Sequence, residues 1–352
     1  MNNAPSTLSY FKWALVATVL GLIASAVYGY FSFGPSQAMT FLFITAVLAV
    51  LEISLSFDNA VVNANKLKDM SHVWQRRFLT WGILIAVFGM RLVFPLVIVA
   101  LAAHIGPLSA IDLAFTQPQH YAAIMHEAHL PIAAFGGTFL LMVGLTYFFD
   151  REKDVHWLPH IEEPMCRLAT IKGIEIGIAL AVILVFSGLV AEERSADFLY
   201  PALYGLITFL GVEILSGLLD ANQAQTAKAA AQGGFGAFIY LEILDASFSF
   251  DGVVGAFALT KNLLVIAIGL GIGAMYVRSM TILLVDRKTL SQFRFLEHGA
   301  FYAILVLAMI MFAQTLVHIP EAITGLAGAG LIGLSLWSSL RWRKTHASKE
   351  PA

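Results

Sequence analysis

The sequence predicts an all-α polytopic membrane protein, with about ten transmembrane helices in two inverted five-helix repeats. Three observations carry that reading. Of 352 residues, 59% are hydrophobic and only 12% are charged, and the mean hydropathy is +0.78; a soluble domain carries roughly 25% charged residues. Apolar runs near ~20 residues, the length a helix needs to span a bilayer, recur along the chain. One acid-bearing motif occurs twice, at residues 51–62 and 244–255.

The runs fall at 12–32, 38–64, 79–103, 131–149, 170–190, 199–219, 234–258, 263–285, 298–318 and 322–340. The first begins at Lys12, exceeds the ~7–15-residue core of a signal peptide and leads into "YFSFGPSQ", a poor cleavage site, so it reads as a retained helix. The last contains Gly325, Gly328, Gly330 and Gly333, small residues that permit close helix packing in a membrane. Basic residues test the count, because they collect in cytoplasmic loops. With ten spans and both termini cytoplasmic, 17 of the 21 lie inside, Arg194 and Lys261 lie outside, and Arg91 and Arg278 lie within spans. A wrong count would mix the loops. The expected location is the cell's inner (plasma) membrane, multi-pass. Residues 1–190 form the first repeat, 191–345 the second, and 346–352 a short cytoplasmic tail.

The net charge of −2 suggests no nucleic acid partner. Cys166, the single cysteine, cannot form an internal disulfide and reads as a free thiol in a reducing compartment. The inner stretch "DREKDVHWLPHIEEPMCR" reads as a solvated linker, and "ANQAQTAKAAAQGG" as a helical extension fading into a flexible end. The outer loop between spans 3 and 4 lacks Lys and Arg but carries His104, Asp112, His120, His126, Glu127 and His129. "HEAH" places His126 and His129 three apart, on one helix face. A metal-gathering patch and an exposed polar loop both stay open; the second is simpler, because the spacing supplies no third fixed ligand.

"LEISLSFDNAVV" aligns with "LDASFSFDGVVG" at an offset of 193, with identities Leu51/Leu244, Ser54/Ser247, Ser56/Ser249, Phe57/Phe250, Asp58/Asp251 and Val61/Val254. Glu52 faces Asp245, a conservative match. Gly82 and Arg91, nine apart, return as Gly269 and Arg278, and "GGTF" at 136–139 as "HGAF" at 298–301. Spans 2–4 therefore resemble spans 7–9. Five spans per half is odd, so the halves run in opposite directions, as in transporters that alternate access around a midplane site. A duplicated scaffold without transport is the plainer alternative, and the acids retained in both copies argue against it.

A charged side chain within a span costs ~2.5–3.5 kcal/mol on insertion scales. Glu52, Asp58, Glu242, Asp245, Asp251 and, in span 6, Glu213 face only Arg91 and Arg278. The excess calls for protons or bound cations. Glu52 and Asp58 are six apart, as are Asp245 and Asp251, which leaves each pair about 120° apart on a straight helix. Ser-x-Ser with Asn59 or Gly252 weakens the backbone ladder. Helices 2 and 7 are therefore expected to be interrupted near the midplane, around 54–59 and 247–252, bringing the acids together. The expected ligands are Glu52, Ser56, Asp58, Asn59, Glu242, Asp245, Ser249 and Asp251, with freed carbonyls. Such hard oxygen donors suit Mg²⁺, Ca²⁺ or Mn²⁺ rather than Cu⁺ or Zn²⁺. Two readings stay open for Arg91 and Arg278: permanent structural pairing, or holding an acid while the site is empty and releasing it to the ion. Glu213 reads as a proton carrier or a vestibule charge.

"EISLSFDN" resembles the first signature of the TerC family of integral membrane proteins, in the wider LysE-type transporter group. That signature, Glu-x-x-Leu-Ser-x-Asp-Asn, falls at Glu52, Leu55, Ser56, Asp58 and Asn59. "EILDASFSFDGVVG" is similar to the second, Glu-x-x-Asp-x-x-Phe-Ala/Ser-x-Asp-Ser, at Glu242, Asp245, Phe248, Ser249 and Asp251. Gly252 replaces the final Ser and no Pro follows, as in a divergent branch. The resemblance spans most of 38–318. It implies export of a metal ion, chiefly Mn²⁺, and nothing certain about the tellurite resistance in the family's name. The expected function is secondary-active export of a divalent cation by alternating access, Mn²⁺ favoured, with Ca²⁺ or Mg²⁺ as options. Proton or Na⁺ antiport would drive it, because the sequence has no P-loop GxxxxGK[ST]. No tightly bound cofactor and no enzymatic activity are expected. The expected partners are the bilayer and the ion, with a homodimer as an option. The alternatives are a membrane partner of stress or tellurite-resistance proteins with purely structural acids, and an intramembrane aspartyl protease. The protease is disfavoured because its Tyr-Asp and Gly-x-Gly-Asp motifs are missing.

Overall fold

The computed structural model describes residues 6–68, 70–151, 153–224, 234–287 and 292–347, and among them there are helices and connecting turns but no strand. α1 (Lys12–Phe33) and α2 (Pro35–Leu55) form a hairpin at Gly34, whose φ of 96° suits glycine. Pro35 follows in the first turn of α2, where no N–H is needed. α3 (Phe57–Lys68) continues α2 after a single non-helical residue, Ser56. Next come α4 (His72–Ala102), two short helices α5 (Pro107–Thr116) and α6 (Pro118–Glu127), and α7 (His129–Phe148). α8 (Pro159–Leu168), α9 (Ile174–Leu189), α10 (Ser195–Ala224) and α11 (Phe235–Leu259) lead to α12 (Leu263–Asp286), α13 (Leu296–Gln314) and α14 (Glu321–Ala347).

Eight of these helices are long and apolar enough to cross a membrane. α9 is also apolar but has only 16 residues, and α11 carries Glu242, Asp245 and Asp251 among its 25. These helices fall on the apolar runs read from the sequence, with run 38–64 divided between α2 and α3, and an all-α polytopic membrane protein is what the chain forms. α7, α12 and α13 are the most buried, while α1, α10 and α14 turn Leu20, Phe31, Tyr204, Ile207, Leu326 and Trp337 outward. Apolar side chains exposed along whole helices imply contact with lipid. Span by span, α2 packs on α12 as α11 packs on α4, and α3 packs on α13 as α11 packs on α7. α10 departs from that pattern by packing closely on α7.

The described part of the stretch 150–167 is more than a solvated linker, because one of its acids is buried although most of its side chains are exposed. Glu162 is fully buried and sits at the centre of a polar cluster. Its carboxylate meets Lys153 Nζ at 2.9 Å, His298 Nε2 at 3.4 Å and His156 Nδ1 at 3.5 Å. The backbone N–H groups of Trp157 and Leu158 and the hydroxyl of Tyr302 donate to Glu162 Oε1. Lys153 also lies over the rings of Tyr147 and Phe148, at 4.2 and 4.5 Å from their centroids. The stretch is a strap stapled across the ends of α7 and α13. Its mixed charges looked like surface residues because their partners lie far away in the sequence. α14 continues to Ala347, so the first two residues of the expected tail are helical; residues 348–352 lie outside the described residues.

Burial works to raise the Glu162 carboxylate, but Lys153, the Leu158 N–H and His298 outweigh it and hold the group below its usual 4.5. Burial pushes the Lys153 ammonium down, against the pull of Glu162. A carboxylate lowered on folding contributes stability above its unfolded value and loses it as pH falls through the folded one. Glu162→Gln is expected to destabilise the protein by roughly 3–5 kcal/mol, because it leaves a buried cation unpaired. Limited proteolysis should then cut the strap, while the parent strap stays protected at neutral pH and opens only well below pH 4.5. Equal protection in the variant would contradict this role.

Candidate functional site

The kink between α2 and α3 organises the first motif. Ser54 Oγ donates to the Val50 carbonyl at 2.9 Å, a back-bond that bends helices. Ser56 Oγ donates to Glu52 Oε1 at 3.0 Å, and its backbone adopts φ −107°, ψ 16°. The kink is narrow, since Ser56 N–H still reaches the Glu52 carbonyl and Ala60 N–H the Ser56 carbonyl. The interruption expected in helix 2 is thus present, but only one residue long. The matching interruption in helix 7 is absent: α11 runs unbroken from Phe235 to Leu259. The chemistry of the two copies differs enough to explain this. Asp245 is one methylene shorter than Glu52 and is engaged by Asn63, so Ser249 Oγ, the counterpart of Ser56, has no hydrogen-bond partner among the described residues.

Glu52 is 1% exposed and pairs with Arg91 Nη2. Arg91 Nη1 donates to the Ala86 carbonyl at 2.8 Å. That carbonyl lies in a π-helical stretch of α4, Ile85–Val93, ahead of Pro95. Proline lacks the N–H an α-helix would send back to residue 91 and crowds that carbonyl, and a wider turn relieves both problems. α11 and α12 close around the Glu52 carboxylate. A Cβ at Gly252 would lie 3.1 Å from Glu52 Oε2, and Gly273 lies against the Glu52 stem.

Beside the pair is a cavity of about 40 Å³ lined by Asn59, Asn63, Arg91, Asp245 and Arg278, among others. It has room for an ion with a water or two. Asn63 Nδ2 donates to Asp245 Oδ1 at 2.8 Å. Among the described residues the amide oxygens of Asn59 and Asn63 are buried without a hydrogen-bond partner, as are both carboxylate oxygens of Glu242, one turn away. Asn63 is absent from the sequence-based set. Its signal was the four-residue step from Asn59, which puts both amides on one helix face. Glu242 points at Gly82, where an added Cβ would lie 3.1 Å from Oε1.

The remaining expected residues lie elsewhere or outside view. Asp58 is 4% exposed, sits in the first turn of α3 and accepts the Asn59 N–H at 2.9 Å. Its carboxylate faces Gly328 of α14, where an added Cβ would lie 3.5 Å from Oδ2, so the narrow kink does not unite Asp58 with Glu52. The freed N–H groups and dipole at the start of α3 compensate its charge in part. The side chain of Asp251 lies outside the described residues. Glu213 is exposed on α10, away from the cavity. Among the described residues no three His, Cys, Asp or Glu side chains converge as a metal-holding group.

A second, larger cavity of about 1180 Å³ opens on the face carrying Arg194 and Lys261. His126, Glu127, His129, Asp197 and His318 also line it, and its wall includes Val254 and Gly255 of α11. His126 and His129 do not share a helix face, because α6 ends at Glu127 and α7 begins at His129.

A family model described as a protein of unknown function, DUF475, matches residues 57–346. No curated protein and no solved structure matches the chain. Gly252→Ala is expected to destabilise the protein by about 1–3 kcal/mol through overpacking, because Arg91 and Ser56 pin the carboxylate it would meet. Gly330→Ala, with open space around it, should be neutral or slightly stabilising. Thermal unfolding in detergent measures both; equal effects would contradict the tight crossing at Glu52.

Proposed function

We propose that this chain, which belongs to the DUF475 family, is a secondary-active transporter that exports a divalent cation, Mn²⁺ favoured, through the cavity at Asp245. The observation that carries the reading is the set of orphaned oxygens: among the described residues the amide oxygens of Asn59 and Asn63 have no partner where Asp245 lines the same small cavity. Buried oxygen acceptors without donors are costly, and a hard cation satisfies them. Asp245, Asn59 and Asn63 would hold the ion, with Mg²⁺ and Ca²⁺ as competing oxygen-seeking ions. The paired motifs resembling the TerC family support the same substrate class. The duplicated sequence and the partly matched helix packing support two inverted repeats and alternating access.

The bias of Lys and Arg between the loops supports cytoplasmic termini in a plasma membrane, with the larger cavity outside. Outward movement of a charge against a negative-inside potential costs ~2.3 kcal/mol per 100 mV. Inflow of H⁺ or Na⁺ is the natural source, and competition with the metal for buried carboxylates couples the two. Glu242 and Asp58 are buried acids with no cationic partner among the described residues, and both suit that competition.

Proteoliposomes loaded with Mn²⁺, Ca²⁺ or Mg²⁺ test the reading. Asp245→Asn is expected to reduce Mn²⁺ flux by at least about tenfold, the effect of losing ~1.4 kcal/mol or more of transition-state stabilisation. Asn63→Leu should weaken it in the same direction. Undiminished flux in both Asp245→Asn and Asp58→Asn would overturn the proposal.

A further inference from the structure

The sequence repeat pairs Glu52 with Asp245 and Arg91 with Arg278. The structure closes only one of the two equivalent ion pairs. Glu52 and Arg91 are joined, whereas Arg278 lines the cavity beside Asp245 and has no ion-pair or hydrogen-bond partner among the described residues. The backbones differ in the same sense. The first motif is kinked at Ser56 and its arginine lies within a π-helical turn, while α11 and α12 are continuous.

Position along α11 gives the closed pair a role. Asp245 lines the small cavity, Gly252 lies against Glu52, and Val254 and Gly255 line the large outer one. The Glu52–Arg91 pair therefore stands between the two cavities. We infer that Glu52–Arg91 is the outer gate of the transport path, and that Arg278 is its counterpart, taking Asp245 when that gate opens, so that the two pairs form in alternation. The inference rests on the transporter reading above.

Inverted repeats reach the opposite state by exchanging conformations. On exchange, the second repeat closes its pair and the first releases Glu52 to the outer cavity. A guanidinium is a tethered cation that can occupy a carboxylate when no ion is bound. Arg278 thus displaces the ion from Asp245 as Glu52 becomes free to receive it. Each acid is exposed to the ion in one state and covered by its arginine in the other, so no state leaves both buried acids bare. Export then follows from the order of the gates.

Thiol labelling tests the alternation without any metal. Val277, which lines the small cavity, is replaced as Val277→Cys in a Cys166→Ala background of the full chain. Right-side-out vesicles are treated with a membrane-impermeant maleimide. The parent should label slowly from outside. Glu52→Gln unlatches the gate and should accelerate labelling about tenfold or more, as for an open state populated at only a few per cent or less. Arg278→Gln should suppress labelling to background, because the alternate state loses its stabilising pair. Unchanged labelling in Glu52→Gln, or parent-like labelling in Arg278→Gln, would overturn the inference. If Glu52→Gln fails to fold, Arg278→Gln decides alone, since its side chain has no partner to orphan. Labelling as expected without metal flux would remove the cation reading and leave the gate; flux without this labelling pattern would remove the gate alone.

Discussion

The buried contact between Glu52 and Arg91 is the constraint on which the centre of this protein depends. Neither charge can face lipid, and neither is reached by bulk water. Their pairing requires close approach from several sides. Gly252 and Gly273 leave room for the carboxylate and its stem, Ser56 turns its hydroxyl toward Glu52, and the π-helical turn lends Arg91 the Ala86 carbonyl. A kink, a helix crossing and a widened turn all follow from placing one ion pair in a dry interior. The pair also stands along α11 between the large cavity and the small one.

The small cavity holds what the pair leaves unsatisfied. Asp245 has a neutral donor, Asn63, where its sequence counterpart has an arginine. Two amide oxygens face the same space without a proton to accept. On the proposed reading such a site is a poor permanent feature and a good transient one, because a cation would satisfy its oxygens. The buried cluster at Glu162 is the opposite case. There the carboxylate is met by lysine, histidines, a tyrosine and backbone N–H groups at once, which fixes the strap across α7 and α13.

Much of the architecture was legible because hydropathy has only one solution at this density. The apolar runs fall on helices, and Asn59 and Asp245, both inside the repeated motifs, line the small cavity. What escaped depends on contacts between distant residues. Equal Ser-x-Ser spacing in the two motifs suggested equal breaks, yet the helix yields only where Ser56 can reach a glutamate. Asp58 and Glu52 looked like one site by proximity in sequence, but a one-residue kink leaves Asp58 turned toward Gly328. Asn63 carried no signal in the repeat, whose second copy has Ala256 there. Glu162 lies in a stretch whose charges resemble a surface, and only the fold brings His298 and Tyr302 to it.

The central claim is that the space among Asp245, Asn59 and Asn63 receives a divalent cation. Anomalous scattering from crystals grown with Mn²⁺ tests it most directly. The account predicts a single strong peak among those three side chains. A map with no peak there, or with manganese only at His126 and His318 in the large cavity, would contradict it.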